Sequence, residues 1–260
     1  MFEIIDSAAA LVPKYMLVLA RLSGMMATFP ILSSVYINKK TKAYIAIMFT
    51  LIIAPVLGPL EIEMGNVLQV IFAVSKEVII GLIIGFGTKV IFSAFTMAGN
   101  VVGRKMGLLM ARTFDPNARQ QVPLFSQFFG ILIMVYFIVT NAHHLFIETI
   151  FENFKSIPPG EGFFSPALGR NMIKTGSLMY KLAIKFGGPT VILLLLLEVS
   201  VGIAVRVLPQ MNAFFITLPL RIIGGLFAVM SSMKIFQLLF DSVYGKVVSY
   251  IGSAIMQIRG

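Results

Sequence analysis

Two stretches of this chain, residues 43–60 and 122–147, contain no Asp, Glu, Lys or Arg. That constrains the fold more than any other feature. About 20 predominantly apolar residues in a helix cross the hydrocarbon core of a bilayer, where the backbone must satisfy its own hydrogen bonds. Composition agrees, with 58% of the 260 residues hydrophobic and 12% charged. Soluble domains carry about a quarter charged residues, and mean hydropathy here is +0.92.

The other apolar segments are interrupted. Residues 22–38 are bounded by Arg21 and Lys39, and 78–103 contain Lys89. Residues 182–205 hold Lys185 and Glu198, 207–233 hold Arg221, and 235–258 hold Asp241 and Lys246. Residues 4–32 read either as one long helix past Pro13 or as a short helix followed by a kinked one. The expected fold is an all-α integral membrane protein with six to seven hydrophobic helical segments in packed, kinked hairpins. Residues 1–260 form a single membrane-embedded domain in this reading.

The first segment is not a secretory signal, because Glu3 and Asp6 precede any lysine. Basic loops stay cytoplasmic. Lys39, Lys40 and Lys42, and later Arg104, Lys105, Arg112 and Arg119, therefore mark inside loops, while Glu61 and Glu63 mark an outside one. The N-terminus and a loop over residues 148–181 then fall outside, and the C-terminus inside. The net charge of +10 is spread between apolar segments without a groove-reading motif, so nucleic acid is not the expected partner.

Charges inside the apolar segments need an explanation. A Lys or Arg at the centre of a lipid-facing helix costs about 2.5–3.5 kcal/mol even on the lenient insertion scale. Lys89, Glu198, Arg206 and Arg221 are all in that position. Either some sit near helix ends and snorkel, or these helices pack against protein or water. Glycines bear on the second reading. Gly81 and Gly85, then Gly99, Gly103 and Gly107, recur every fourth residue, a spacing that lets helix backbones approach.

No catalytic constellation is present. The chain has no cysteine, so thiol nucleophiles and thiolate metal sites are excluded. Its two histidines, His143 and His144, are helix neighbours pointing about 100° apart and cannot share a metal from one face. No phosphate loop or nucleotide signature appears. No metal and no cofactor is expected.

Two polar stretches stand out. Residues 107–123, GLLMARTFDPNARQQVP, combine an Asp-Pro-Asn turn with bulky Leu108, Leu109, Met110 and Phe114. They read as an adaptable plug, methionine being flexible, or as an ordinary cytoplasmic loop. Residues 198–214, EVSVGIAVRVLPQMNAF, place Glu198, Gly202 and Arg206 near one helix face. Glu198 and Arg206 lie about 12 Å apart along that helix, so each needs another partner. Pro209 breaks the helix, Gln210 and Asn212 follow the break, and Pro219 with Arg221 repeats the arrangement.

The run Arg206-Val-Leu-Pro209-Gln210-Met211-Asn212-Ala-Phe214, followed by Leu218-Pro219-Leu220, is similar to the signature of the FliR family of flagellar export-gate proteins. These are related to the injectisome proteins called SctT or SpaR. Further matches run in order: Arg21, Phe29-Pro30, Pro55, Lys76-Glu77, Ala98-Gly99-Asn100, Phe114-Asp115-Pro116, Asn141-Ala142-His143-His144 and Ser156-Ile157-Pro158. The resemblance implies a single copy in a gate with several FliP-like and FliQ-like subunits, an FlhB-like protein at the entrance, and unfolded export substrates passing through. It places the assembly in the bacterial inner membrane at the flagellar basal body, with energy supplied elsewhere. It also implies that residues 107–122 plug the closed channel, with Met106, Leu108, Leu109, Met110 and Phe114 as obstructing side chains. Glu198, Arg206, Pro209, Gln210, Asn212 and Arg221 then read as a polar joint to neighbouring subunits.

A secondary transporter is the main competing class, since such proteins also use broken helices and intramembrane charges. The Pro209 break has no counterpart in the first half, which weakens it. A membrane enzyme lacks an acid–base or metal set.

Overall fold

A computed structural model describes residues 2–33, 37–58, 66–108, 124–207 and 213–259. They form α1 (Phe2–Thr28), α2 (Pro30–Ser33), α3 (Lys39–Val56), α4 (Val67–Lys105), α5 (Leu124–Val139), α6 (Ala142–Ser156), α7 (Pro166–Val207) and α8 (Ala213–Arg259). The fold is all-α, and three of the helices contain stretches long and apolar enough to cross a membrane: Val67–Lys105, Pro166–Val207 and Ile216–Leu238.

Local chemistry sets the ends. Asn38 caps α3 by accepting from the Lys40 N–H, and the Lys14 ammonium donates to the Leu57 carbonyl at the other end. Cations favour that pole of the helix dipole. Gly107, at φ 79°, ends α4 in the left-handed conformation that glycine adopts without a Cβ penalty. It terminates the helix, and a Cβ there would also stand 3.1 Å from the Leu218 Cδ1.

Four expectations are resolved or corrected. Residues 4–32 contain one long helix, with Pro13 inside α1. The charge-free window 122–147 is two helices, because Asn141 takes a left-handed φ of 57° between α5 and α6; Asn tolerates that conformation through its short polar side chain. The loop expected over 148–181 is largely helical, covered by α6 up to Ser156 and by α7 from Pro166. Its Arg, Lys and Met residues are good helix formers, so polarity there reports exposure rather than a helix end. From Ala213 onward the last two segments are one 47-residue helix, α8. Lys234 is simply exposed on it.

The chain divides into two compact units, 1–90 with 138–176 and 246–260, and 91–137 with 177–245. In the first unit, Leu22, Met25, Ile53, Ile80, Ile84, Phe154 and Ile258 belong to one buried cluster. The α1–α4 crossing is set by glycine on both sides. A Cβ on Gly24 would strike the Val78 carbonyl, one on Gly81 the Arg21 carbonyl, and one on Gly85 the Thr28 hydroxyl. In the second unit four buried rings meet at tilted angles. Phe95 lies 3.8 Å from Phe186 and 5.3 Å from Phe236, and Phe129 lies 5.0 Å from Phe236 between ring centroids. A Cβ on Gly99 would strike the Phe125 carbonyl, while one on Gly103 would stand 3.4 Å from the Phe125 Cβ.

The contrast between glycines is testable. Gly81→Ala should destabilise the protein by about 1–3 kcal/mol, because the added methyl meets backbone that cannot yield. Gly202→Ala, with nothing within 4 Å of the new Cβ, should be neutral or stabilising by roughly 0.5–1 kcal/mol. Thermal unfolding of the two variants in detergent distinguishes them.

Candidate functional site

Arg21 sits in the second half of α1 with 0% exposure and Glu77 in the first third of α4 with 0%. The carboxylate takes the guanidinium side-on, with Arg21 Nε to Oε2 at 2.5 Å and Nη2 to Oε1 at 3.0 Å. The remaining donors are used as well. Nη1 reaches Asn153 Oδ1 at 3.1 Å and the Ile157 carbonyl at 2.6 Å, and Nη2 reaches the Pro158 carbonyl at 3.3 Å. A guanidinium has five N–H groups, and here all five have acceptors. Glu77 also accepts from the Gly160 N–H at 2.7 Å, and Lys76 Nζ donates to the Gly160 carbonyl at 3.1 Å. The Phe154 ring lies 4.7 Å from the Arg21 guanidinium carbon.

This node gathers three of the separated sequence matches, Arg21, Lys76-Glu77 and Ile157-Pro158, in one place. None of its members was among the expected site residues. A signal existed: one arginine and one glutamate, each at the edge of an apolar segment, compensate each other's charge. Nearby, the Tyr250 hydroxyl donates to the Ile83 carbonyl at 3.1 Å. Tyr250 lies beyond the apolar stretch Ile216–Leu238, and burial pushes its phenol up to about 12.

The second unit holds the residues expected to form a polar joint. Glu198 and Arg221, read from sequence as facing neighbouring subunits, pair with each other: Arg221 Nη2 donates to Glu198 Oε1 at 2.7 Å. Their side chains are 21% and 43% exposed for Arg221 and Glu198 respectively. The Arg221 Nε is buried with no hydrogen-bond partner. Arg206 is exposed in the last turn of α7, where a cation suits the dipole. Pro209, Gln210 and Asn212 lie outside the described residues. The helices on either side end at Val207 and restart at Ala213.

Of the expected plug residues, Leu109, Met110 and Phe114 also lie outside the described residues. Met106 is fully buried, with its thioether against Gly225. It and Leu108 line an apolar cavity of about 400 Å³ with Leu124, Phe128, Leu226 and Met230. The segment 109–123 thus leaves and rejoins the described structure at two residues of one cavity, Leu108 and Leu124. Among the described residues no three His, Cys, Asp or Glu side chains converge on a point. The His143 and His144 rings, 4.2 Å apart, stand at the start of α6.

A chain with long apolar helices, a buried arginine node and a broken α7–α8 hairpin matches one family model, bacterial export proteins, family 1, over residues 12–247. The chain belongs to that family. Its relatives include the flagellar biosynthetic protein FliR of Buchnera aphidicola subsp. Schizaphis graminum, 25% identical over 94% of both chains. The Escherichia coli K12 protein of the same name is 26% identical over 92% of both chains. That of Bacillus subtilis 168 is 26% identical over 92% of this chain and 93% of its own. Within the family match fall both the Arg21 node and the Glu198–Arg221 pair.

The node makes a sharp prediction. Arg21→Met leaves Glu77 buried and unpaired, a change that costs about 3–5 kcal/mol, and should nearly abolish recovery of folded protein. Arg21→Met combined with Glu77→Met removes both charges and should recover more folded protein than either single variant. Size-exclusion profiles of the three proteins check this.

Proposed function

We propose that this chain is a subunit of the flagellar type III export gate, forming part of the closed channel through which unfolded flagellar substrates cross the bacterial inner membrane. The family match over residues 12–247 carries the reading, and the names of the FliR relatives supply the flagellar context. The chain works as one embedded domain and as a channel component rather than a catalyst. Its neighbours are FliP-like and FliQ-like subunits, with an FlhB-like protein at the entrance.

Physical features support the assignment. Exposed Ile192, Leu196, Val199, Ile203 and Val207 on α7, and exposed Ile223, Phe227 and Met230 on α8, give apolar faces that need cover. The Glu198–Arg221 pair among them is only half-satisfied. Protein neighbours cover such faces and meet such charges, whereas lipid meets only the first need. The segment 107–122, carrying Leu108, Leu109, Met110 and Phe114, is the channel plug, with buried Met106 immediately before it.

Two measurements test this. Deleting residues 109–114 in the assembled complex should raise its ion conductance in planar bilayers; unchanged conductance defeats the plug assignment. Arg206→Ala should lower the yield of assembled complex on native gels while leaving the conductance of the complex that does form unchanged.

A further inference from the structure

Arg21, fully buried, and Arg221, partly buried, differ in how far they are satisfied. Every N–H of Arg21 has an acceptor within the chain, one of them the Asn153 carboxamide oxygen beside Glu77. Among the described residues Arg221 makes a single hydrogen bond, to Glu198, and its buried Nε has none. An arginine donor removed from water without an acceptor is costly, so this pair is an incomplete version of the first. Beside it run two exposed apolar stripes in the same 3-then-4 spacing, Leu196, Val199 and Ile203 on α7 and Leu220, Ile223 and Phe227 on α8. That spacing is the seam into which a further helix packs.

We propose that a helix of a partner gate subunit packs along these stripes and inserts an Asn or Gln side chain between Arg221 and Glu198. The inference rests on the gate-subunit reading above and names what the partner must present. Its carboxamide oxygen accepts from Arg221 Nε, and its NH2 donates to the Glu198 oxygen that Arg221 does not hold. Charge selects this chemistry. Arg221 and Glu198 already neutralise each other, so a carboxylate adds an uncompensated negative charge in a low-dielectric seam. A lysine has no acceptor for Arg221, and a hydroxyl offers its donor and acceptor on one atom. A lipid phosphate accepts but brings charge and nothing for Glu198. In the Arg21–Glu77–Asn153 group a carboxamide oxygen likewise accepts from an ion-paired guanidinium, there from Nη1, while the Asn153 NH2 has no partner among the described residues.

A photo-crosslinking amino acid at Ile223, and separately at Val199, in the intact complex purified from cells tests this. Crosslinks are expected in an apolar helix of a different subunit, within one turn of an Asn or Gln. Replacing that residue by Leu, or making Arg221→Met, should each lower recovered complex about tenfold, the equivalent of one hydrogen bond to a charged group. Together they should cost less than twofold beyond either alone. Crosslinks only to lipid, to a second copy of this chain or to a helix without a nearby carboxamide overturn the proposal, as do losses that simply multiply. If the wild-type chain forms no complex with other subunits, the gate reading itself fails. If the complex forms and only the crosslink goes elsewhere, this inference alone fails.

Discussion

The buried Arg21 guanidinium organises the first unit. A charge with no exposure survives there because five acceptors surround it and Glu77 neutralises it side-on. Those acceptors come from α4, from α6 and from the turn after α6, so satisfying one side chain fixes where all of these stand relative to α1. Hydrophobic packing is tolerant of small shifts, but a guanidinium with five assigned partners is not. Both side chains are fully withdrawn from water, and the low dielectric there strengthens their attraction.

Close approach makes the node possible. Arg21 and Gly81 are neighbours across the α1–α4 crossing, so close that a Cβ on Gly81 would strike the Arg21 carbonyl. Without glycine at positions 24 and 81 the two helices separate, and the Arg21 side chain no longer meets Glu77 at hydrogen-bond distance. Steric and electrostatic requirements therefore fall on the same few residues. The second unit solves its packing differently, with rings from α4, α5, α7 and α8 at the centre and its charged pair left at the margin.

Much of this was legible in the sequence, for identifiable reasons. Helices announce themselves through apolar length, so the all-α membrane class followed from the charge-free windows. Glycines at fourfold spacing pointed to close contact at Gly81, Gly85 and Gly99. Where one helix ends and the next begins was harder. Asn141 splits a window with no charge in it, while Lys234 fails to split α8, because helix ends are decided by backbone conformation and not by polarity. The pairing of Arg21 with Glu77, 56 residues away, and of Arg221 with Glu198, 23 residues away, depends on which faces meet. A single sequence carries the charges but not the registry between helices. Residues of the expected plug beyond Leu108 and of the Pro209 break lie outside the described structure, and their roles rest on the resemblance.

The separation in sequence of the Arg21 partners has a consequence for how the chain is made. Glu77 follows Arg21 by 56 residues, Asn153 by 132 and the Ile157 carbonyl by 136. At roughly 5–20 residues per second, the ribosome needs roughly 7–27 seconds to deliver the last of them. For the first part of that interval the newborn α1 carries a cation with none of these acceptors, and for the rest of it only the Glu77 carboxylate has been made. The Arg21 node therefore closes only once α6 and the turn after it have been synthesised, in the middle of translation and not at its start.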